Sequence, residues 1–188
     1  MTTAPKPSGS RLTTDDWLQA GYTILAEDGL KSLKIDALCR RLGVTKGSFY
    51  WHFHDMAGYR AALIESWGDL RDDDRRRIEA VDELPPRDRL VQMMASLVSP
   101  RHWTLERAMR EWARTDEAVA DSVRAADRRI LAAVRRAFED LGFDAQDADL
   151  RANATFAAGI GFLHLLGKAP DSRLSEQSER FLDLMVTH

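Results

Sequence analysis

One cysteine, Cys39, stands among 188 residues, so no intrachain disulfide can form, and no cysteine/histidine spacing suits a structural zinc site. Long apolar runs are missing as well. No stretch approaches the roughly 18 uncharged apolar residues that span a bilayer, and MTTAPKPSGSR at the N-terminus lacks the apolar core of a signal peptide. These absences predict a cytoplasmic protein without a membrane partner. A surplus of positive charge is also missing: 27 Lys and Arg face 30 Asp and Glu, a net charge of −3, which excludes a globally basic nucleic-acid coat. Catalytic signatures are absent too. There is no nucleophile elbow, no glycine-rich phosphate loop after a strand and no metal-ligand spacing, so neither an enzyme nor a cofactor is expected. No segment keeps up a period-two alternation, which predicts an all-α fold of about nine helices.

What is present is organised. Charge is divided unevenly: residues 1–60 carry eight Lys/Arg against six Asp/Glu, and the remainder nineteen against twenty-four. That is the sign expected of a polyanion-binding N-terminal part on an acidic body. Residues 1–11, rich in Pro, Gly and Ser, read as a flexible arm. Thr13, with Asp16 three positions on, forms a capping pair; Leu18, Gly21, Tyr22 and Leu25 follow at helical spacing, and Gly29 stops the helix. Ile35, Leu38, Cys39 and Leu42 then recur at i, i+3, i+4, i+7 before Gly43, giving a helix of about two turns. Cys39 lies on its apolar face and reads as a buried small hydrophobe.

The densest stretch is GVTKGSFYWHF, residues 43–53. Thr45 is placed to cap a third helix, with Val44 stapled to Phe49. Two helices separated by so short a turn make a helix-turn-helix. Phe49 and Phe53, one turn apart, are expected to hold this short helix against its neighbours, leaving Lys46, Gly47, Tyr50 and Trp51 pointing away. That outward combination suits a major groove: Lys46 and Tyr50 can contact phosphates, Thr45 and Ser48 phosphates or base edges, and Gly47 makes room for a sugar-phosphate backbone. A solvent-facing aromatic helix is the bland alternative. In HFHD, His52 is expected to pack at the helix end and Asp55 to cap a fourth helix, rather than to bind metal.

The stretch ILAEDGLKSLKIDALCRRLGVTKGSFYWHF resembles the DNA-binding domain of the tetracycline-repressor (TetR) family, with its G…(I/L)A…GV(S/T)KGxxYxHF signature, over about residues 12–60, a quarter of the chain. The resemblance implies a helix-turn-helix head at 12–56 and an effector-binding and dimerising body at 57–188. It further implies a homodimer on a double-stranded DNA operator, regulated by a small apolar effector and most simply a repressor. The DNA-contacting positions it implies are Thr45, Lys46, Gly47, Ser48, Tyr50, Trp51 and His52, with Phe53 as the buried anchor. The chain departs from the pattern twice. Lys34 stands where the family often has a capping threonine, and Met56 where it often has a lysine. Lys34 is therefore added as a phosphate contact that could offset Met56. The rival is a helical ligand-binding or protein-interaction module that has lost DNA binding.

In the body, leucine, methionine and aromatic residues recur at helical spacing from residue 90 onward, with LPP at 84–86 as a linker. The charge block RDDDRRR reads as a solvated helix end. A helix capped near Asp116 and stopped by Gly142 carries Val119, Val123, Ala126, Ile130 and Phe138, and a last pair covers 146–168 and 173–187. Trp67, Met93, Met94, Trp103, Met109, Trp112 and Phe156 are candidates for an effector pocket, with His102 and His164 as polar anchors; core packing is the competing role for each. Small residues in FAAGIGFLHLLG suggest a close helix contact, either between subunits or within the chain. Gly159, Ile160, Leu163, Phe181 and Leu184 are the dimer-interface candidates.

Overall fold

The computed structural model describes residues 12–79, 84–97, 100–165 and 172–187. The expected N-terminal arm at 1–11 and the break at 169–171 lie outside these residues, as do the side chains of His102 and of the 71–77 charge block. Nine helices and no strand occur among the described residues. They are α1 (Thr14–Asp28), α2 (Ile35–Leu42), α3 (Lys46–His52), α4 (Met56–Glu79), α5 (Pro86–Leu97), α6 (Pro100–Ala113), α7 (Glu117–Asp140), α8 (Ala145–Leu165) and α9 (Ser172–Val186). A 3₁₀ turn at Leu30–Ser32, not foreseen in the sequence, bridges α1 and α2.

Local chemistry sets the boundaries. The capping box at α1 is complete: the Asp16 amide donates to Thr13 Oγ1 at 3.2 Å, and the Thr13 amide donates to Asp16 Oδ2 at 2.8 Å. Gly43 ends α2 at φ +69°, and the Gly43 and Val44 amides donate back to the Arg40 and Cys39 carbonyls. This left-handed turn satisfies the last carbonyls of α2 and reverses the chain into α3 within three residues. Two prolines begin helices instead of ending them: Pro86 opens α5 and Pro100 opens α6, at a position where no amide is needed.

The chain divides into two compact units, one ending at Leu63 and one beginning at Ile64. The first therefore runs past residue 56, because the first turns of α4 bring Tyr59 and Leu63 into its core, both fully buried. That core is aromatic. Trp17 lies edge-on to Phe49 and Phe53 at ring distances of 5.5 and 6.5 Å, and Phe53 meets Tyr59 at 4.9 Å. The Tyr59 hydroxyl donates to the Trp17 carbonyl at 2.8 Å, and the Tyr22 hydroxyl to the Leu63 carbonyl at 2.9 Å, so both buried phenols are satisfied. Burial pushes the Tyr59 phenol well above its ordinary pKa, keeping it a donor at any physiological pH.

In the second unit α7 packs against α5, α6 and α8, and α5 also meets α9. One core cluster joins Leu90, Met94, Val134, Phe138, Phe143, Ala152 and Leu182; a second joins Trp103 to Leu163. Asp116 caps α7 through the Ala118 and Val119 amides. Glu106, buried to 3% exposure, pairs with Arg110 at 2.8 Å, and Arg110 forks onto Asp127 at 2.6 and 3.1 Å. A buried carboxylate of this kind is tolerated only with such a partner.

The narrowest fit lies at Gly21. A β-carbon there would sit 1.9 Å from Tyr59 Oη and 3.0 Å from its ring. Gly21→Ala is expected to destabilise the protein by about 1–3 kcal/mol through overpacking. The Tyr59→Phe background should recover part of that loss in denaturant unfolding, because it removes the atom in closest conflict. An equal cost in both backgrounds would show that the clash is relieved elsewhere.

Candidate nucleic-acid interface

Helix α3 has seven residues, too few to stand alone, and its inner face supplies what it lacks. Phe49 is fully buried and Phe53 nearly so, both against Trp17 of α1 and Tyr59 of α4. Phe53 also closes the helix, its amide donating to the Phe49 carbonyl at 3.0 Å. The opposite side is left to solvent: Tyr50 is 56% and Trp51 70% exposed, the largest exposed aromatic surfaces among the described residues. Thr45, Lys46 and Gly47 are exposed beside them, and Ser48 is half-buried.

Most of the expected interface residues thus share one side of a helix anchored from the other. His52 departs from the group: it is half-buried, its ring 6.1 Å from Trp17 and 6.3 Å from Trp51. Lys34 is exposed at the N-cap position of α2, where its side chain makes no capping bond. Thr45 occupies the N-cap position of α3 with extended backbone, yet its hydroxyl does not cap the helix. This corrects the capping expectation: here the Thr45 carbonyl, accepting the Ser48 amide at 3.0 Å, starts the helix. Asp55 does cap α4, accepting the Gly58 amide at 2.8 Å and approaching His54 Nδ1 at 3.1 Å. Those two contacts hold its carboxyl below the usual range. His52, His54 and Asp55 form no metal cluster; none of three or more ligating side chains occurs among the described residues.

Besides the 3₁₀ turn, two features of this unit were not foreseen from the sequence. Trp17, the centre of the aromatic core, falls beside the stripe of Leu18, Gly21, Tyr22 and Leu25; the signal was the width of the apolar arc on α1, where seven residues are buried. The second is an ion pair between Lys46 Nζ and Asp36 Oδ1 at 2.7 Å, joining the first turns of α3 and α2. Nothing in the spacing of residues 36 and 46 announces it, since it depends on how the two helices cross. Cys39 is buried as expected, and burial, with Asp36 nearby, pushes its thiol pKa up, which disfavours the reactive thiolate.

In the second unit Trp67, Met94, Trp103, Met109 and Trp112 are buried, while Met93 and Phe156 are half-buried. Met94 belongs to the Phe138 cluster, with Met93 packed against it, and Trp103 belongs to the Leu163 cluster. The pocket candidates are therefore dispersed. His164 is exposed, which removes it as an anchor inside a pocket. Among the dimer candidates Gly159 and Leu163 are buried within this unit, Ile160 packs against the Trp103 cluster and Phe181 against the Phe138 cluster. A residue enclosed by its own chain cannot meet a partner, so the small-residue stripe of α8 serves intrachain packing at Gly159. What α8 and α9 leave exposed instead is Leu150 at 66%, Leu165 at 80% and Leu184 at 70%. Ala154 and Ala157 are exposed between the first two, and a β-carbon at Gly161 would meet nothing within 4 Å.

A surface helix buried on one side by aromatic packing, presenting cationic, hydroxyl and aromatic groups on the other and following α2 after a tight turn, has the arrangement of a helix-turn-helix. Residues 18–63 match the sequence model of bacterial regulatory proteins of the tetR family. The HTH-type transcriptional regulator ArpR of Pseudomonas putida is 31% identical over 85 residues, covering 43% of this chain and 40% of that protein's length. Among solved structures, a TetR transcriptional regulator from Legionella pneumophila superposes at a TM-score of 0.79 with 14% identity, covering 96% of this chain and all of that one. A transcriptional regulator from Rhodococcus sp. Rha1 gives 0.73 with 20% identity, covering 93% and 94%. One from Saccharomonospora viridis in complex with choline gives 0.72 with 17% identity, covering 93% and 95%. Residues 18–63 are thus similar to the tetR-family model, and the chain has the fold of TetR-family transcriptional regulators. No helix among the described residues is long and apolar enough to cross a membrane.

The two sides of α3 should separate cleanly in stability measurements. Phe49→Ala is expected to cost about 3–5 kcal/mol in chemical denaturation. Trp51→Ala, removing a ring that is mostly in water, should leave the midpoint within experimental error; a loss comparable to that of Phe49→Ala would place Trp51 in the core.

Proposed function

We propose that the protein is a ligand-responsive transcriptional repressor that binds a near-palindromic operator as a homodimer. The observation that carries the DNA-binding part is the division of α3, with Phe49 and Phe53 turned inward and Tyr50, Trp51, Lys46 and Thr45 outward. Phosphate contacts would come from Lys46, the Tyr50 hydroxyl and Lys34, and base-edge contacts from Thr45 and Ser48. Gly47 lets the backbone approach, Trp51 adds an apolar surface at the groove wall, and His52 braces the end of the helix. We take the head to reach Leu63, with the body beginning at Ile64.

The dimer reading rests on the outward face of α8 and α9. Leu150, Ala154, Ala157, Gly161 and Leu165 recur along α8 every three or four residues, and Leu184 lies exposed on α9. A face of this kind is costly in water and is covered when two copies meet. In such a dimer the recognition helices would enter successive major grooves about 34–36 Å apart. An effector bound in the body would act by favouring a different spacing. Large apolar and methionine side chains in the body suit a small apolar ligand, and the choline complex of the Saccharomonospora viridis protein shows a chain of this fold holding a small molecule.

Three measurements bear on these roles. Tyr50→Ala should abolish sequence-specific binding to DNA from around the protein's own gene while leaving the thermal transition unchanged; retained binding would remove α3 from the groove. Lys34→Ala should flatten the dependence of log K on log salt by about 0.9, one phosphate contact, and an unaltered slope would end its role as substitute for the lysine replaced by Met56. Ala157→Glu with Leu165→Glu should convert the protein to monomers in sedimentation velocity. A dimer that survives both charges would place the interface elsewhere.

A further inference from the structure

A phosphate-binding surface has no evident use for a carboxylate, yet one stands within it. Asp36 lies in the first turn of α2, and its Oδ1 is 2.7 Å from Nζ of Lys46, in the first turn of the recognition helix. The side chains are 64% and 61% exposed, so nothing but opposite charge keeps the ammonium there. Arg40 also lies near the carboxylate, and the Tyr50 hydroxyl near the ammonium. Their pairing lowers the Asp36 pKa and raises that of Lys46, which keeps both fully charged at neutral pH.

We propose that Asp36 is a competitor for phosphate built into the DNA-binding surface: it occupies Lys46 in the free protein, and docking on a duplex requires Lys46 to exchange carboxylate for phosphate. The proposal rests on the DNA-binding reading above. A lysine already neutralised by its own chain adds no net charge to a DNA complex, so it displaces no counterion. Each phosphate neutralised contributes about 0.9 to the slope of log K against log salt, and a masked Lys46 is one such contact withheld. This masking weakens binding to any duplex, whatever its sequence. A carboxylate that merely aimed Lys46 would act in the opposite direction, since its removal would loosen the lysine and weaken the complex.

The full-length protein and the variants Asp36→Asn, Asp36→Glu, Lys46→Met and Asp36→Asn/Lys46→Met can be titrated by fluorescence anisotropy into a labelled mixed-sequence duplex of about 30 base pairs. The salt range should run from about 25 to about 200 mM NaCl. Asp36→Asn is expected to bind roughly 3- to 10-fold tighter at the low end, with a slope steeper by about 0.9. Asp36→Glu, which keeps the charge, should follow the wild type. Lys46→Met should weaken binding in both backgrounds, by the larger factor in the Asp36→Asn background, so that the double variant binds no tighter than Lys46→Met alone. Unchanged or weaker binding by Asp36→Asn overturns the proposal, as does a gain that persists without Lys46. If the wild type binds and Tyr50→Ala does not, such a result leaves the DNA-binding reading standing; if the wild type shows no salt-dependent binding, both fall together.

Discussion

The N-terminal unit depends on one contact, the edge-on packing of Trp17 against Phe49, with Phe53 and Tyr59 closing the group. A helix of seven residues has too few internal hydrogen bonds to offset the cost of starting it, so its orientation must come from outside. Trp17 provides that from α1, and Tyr59 from α4. Aromatic pairs in this geometry add about 0.5–1.5 kcal/mol beyond the area they bury, and they fix angle as well as distance. The absence of a side chain at Gly21 belongs to the same constraint, since Tyr59 can reach the Trp17 carbonyl only across that gap.

From this follows the character of the exposed side. With Phe49 and Phe53 committed inward, helical geometry leaves Lys46, Gly47, Tyr50 and Trp51 no choice but to face out or to flank. The turn at Gly43 holds α2 close enough for Asp36 to reach Lys46, so the backbone conformation that starts the recognition helix also sets its charge. A stretch dense in glycine and aromatic residues is one element with two surfaces, protein on one side and, under the proposed function, nucleic acid on the other.

Much of this was legible in the sequence where the cause is local. Thr13 with Asp16, the stops at Gly29, Gly43 and Gly142, and the inward Phe49 and Phe53 depend on neighbours within one or two turns, and the structure has them all. What escaped depends on elements distant in sequence. Trp17 looked like a residue beside a stripe, because the third and fourth helices that enclose it lie more than thirty positions away. The Thr45 cap failed because hydroxyl geometry is decided by rotamer, not by residue type. On α8, small residues fall on both sides of the helix, so spacing alone could not assign Gly159 inward and Gly161 outward.

The second unit keeps its architecture by two kinds of packing. Among the described residues its most deeply buried charge, Glu106, is met by Arg110, and Arg110 in turn by Asp127, which ties α6 to α7. Removing Arg110 would take from both carboxylates the cation they share, so the α6–α7 crossing is specified more sharply than apolar contact would specify it. The rest of the packing is apolar, built from leucine, valine, alanine, methionine, phenylalanine and tryptophan side chains. Specific polar pairing at one crossing thus fixes the fit of two helices whose other contacts are apolar and non-directional.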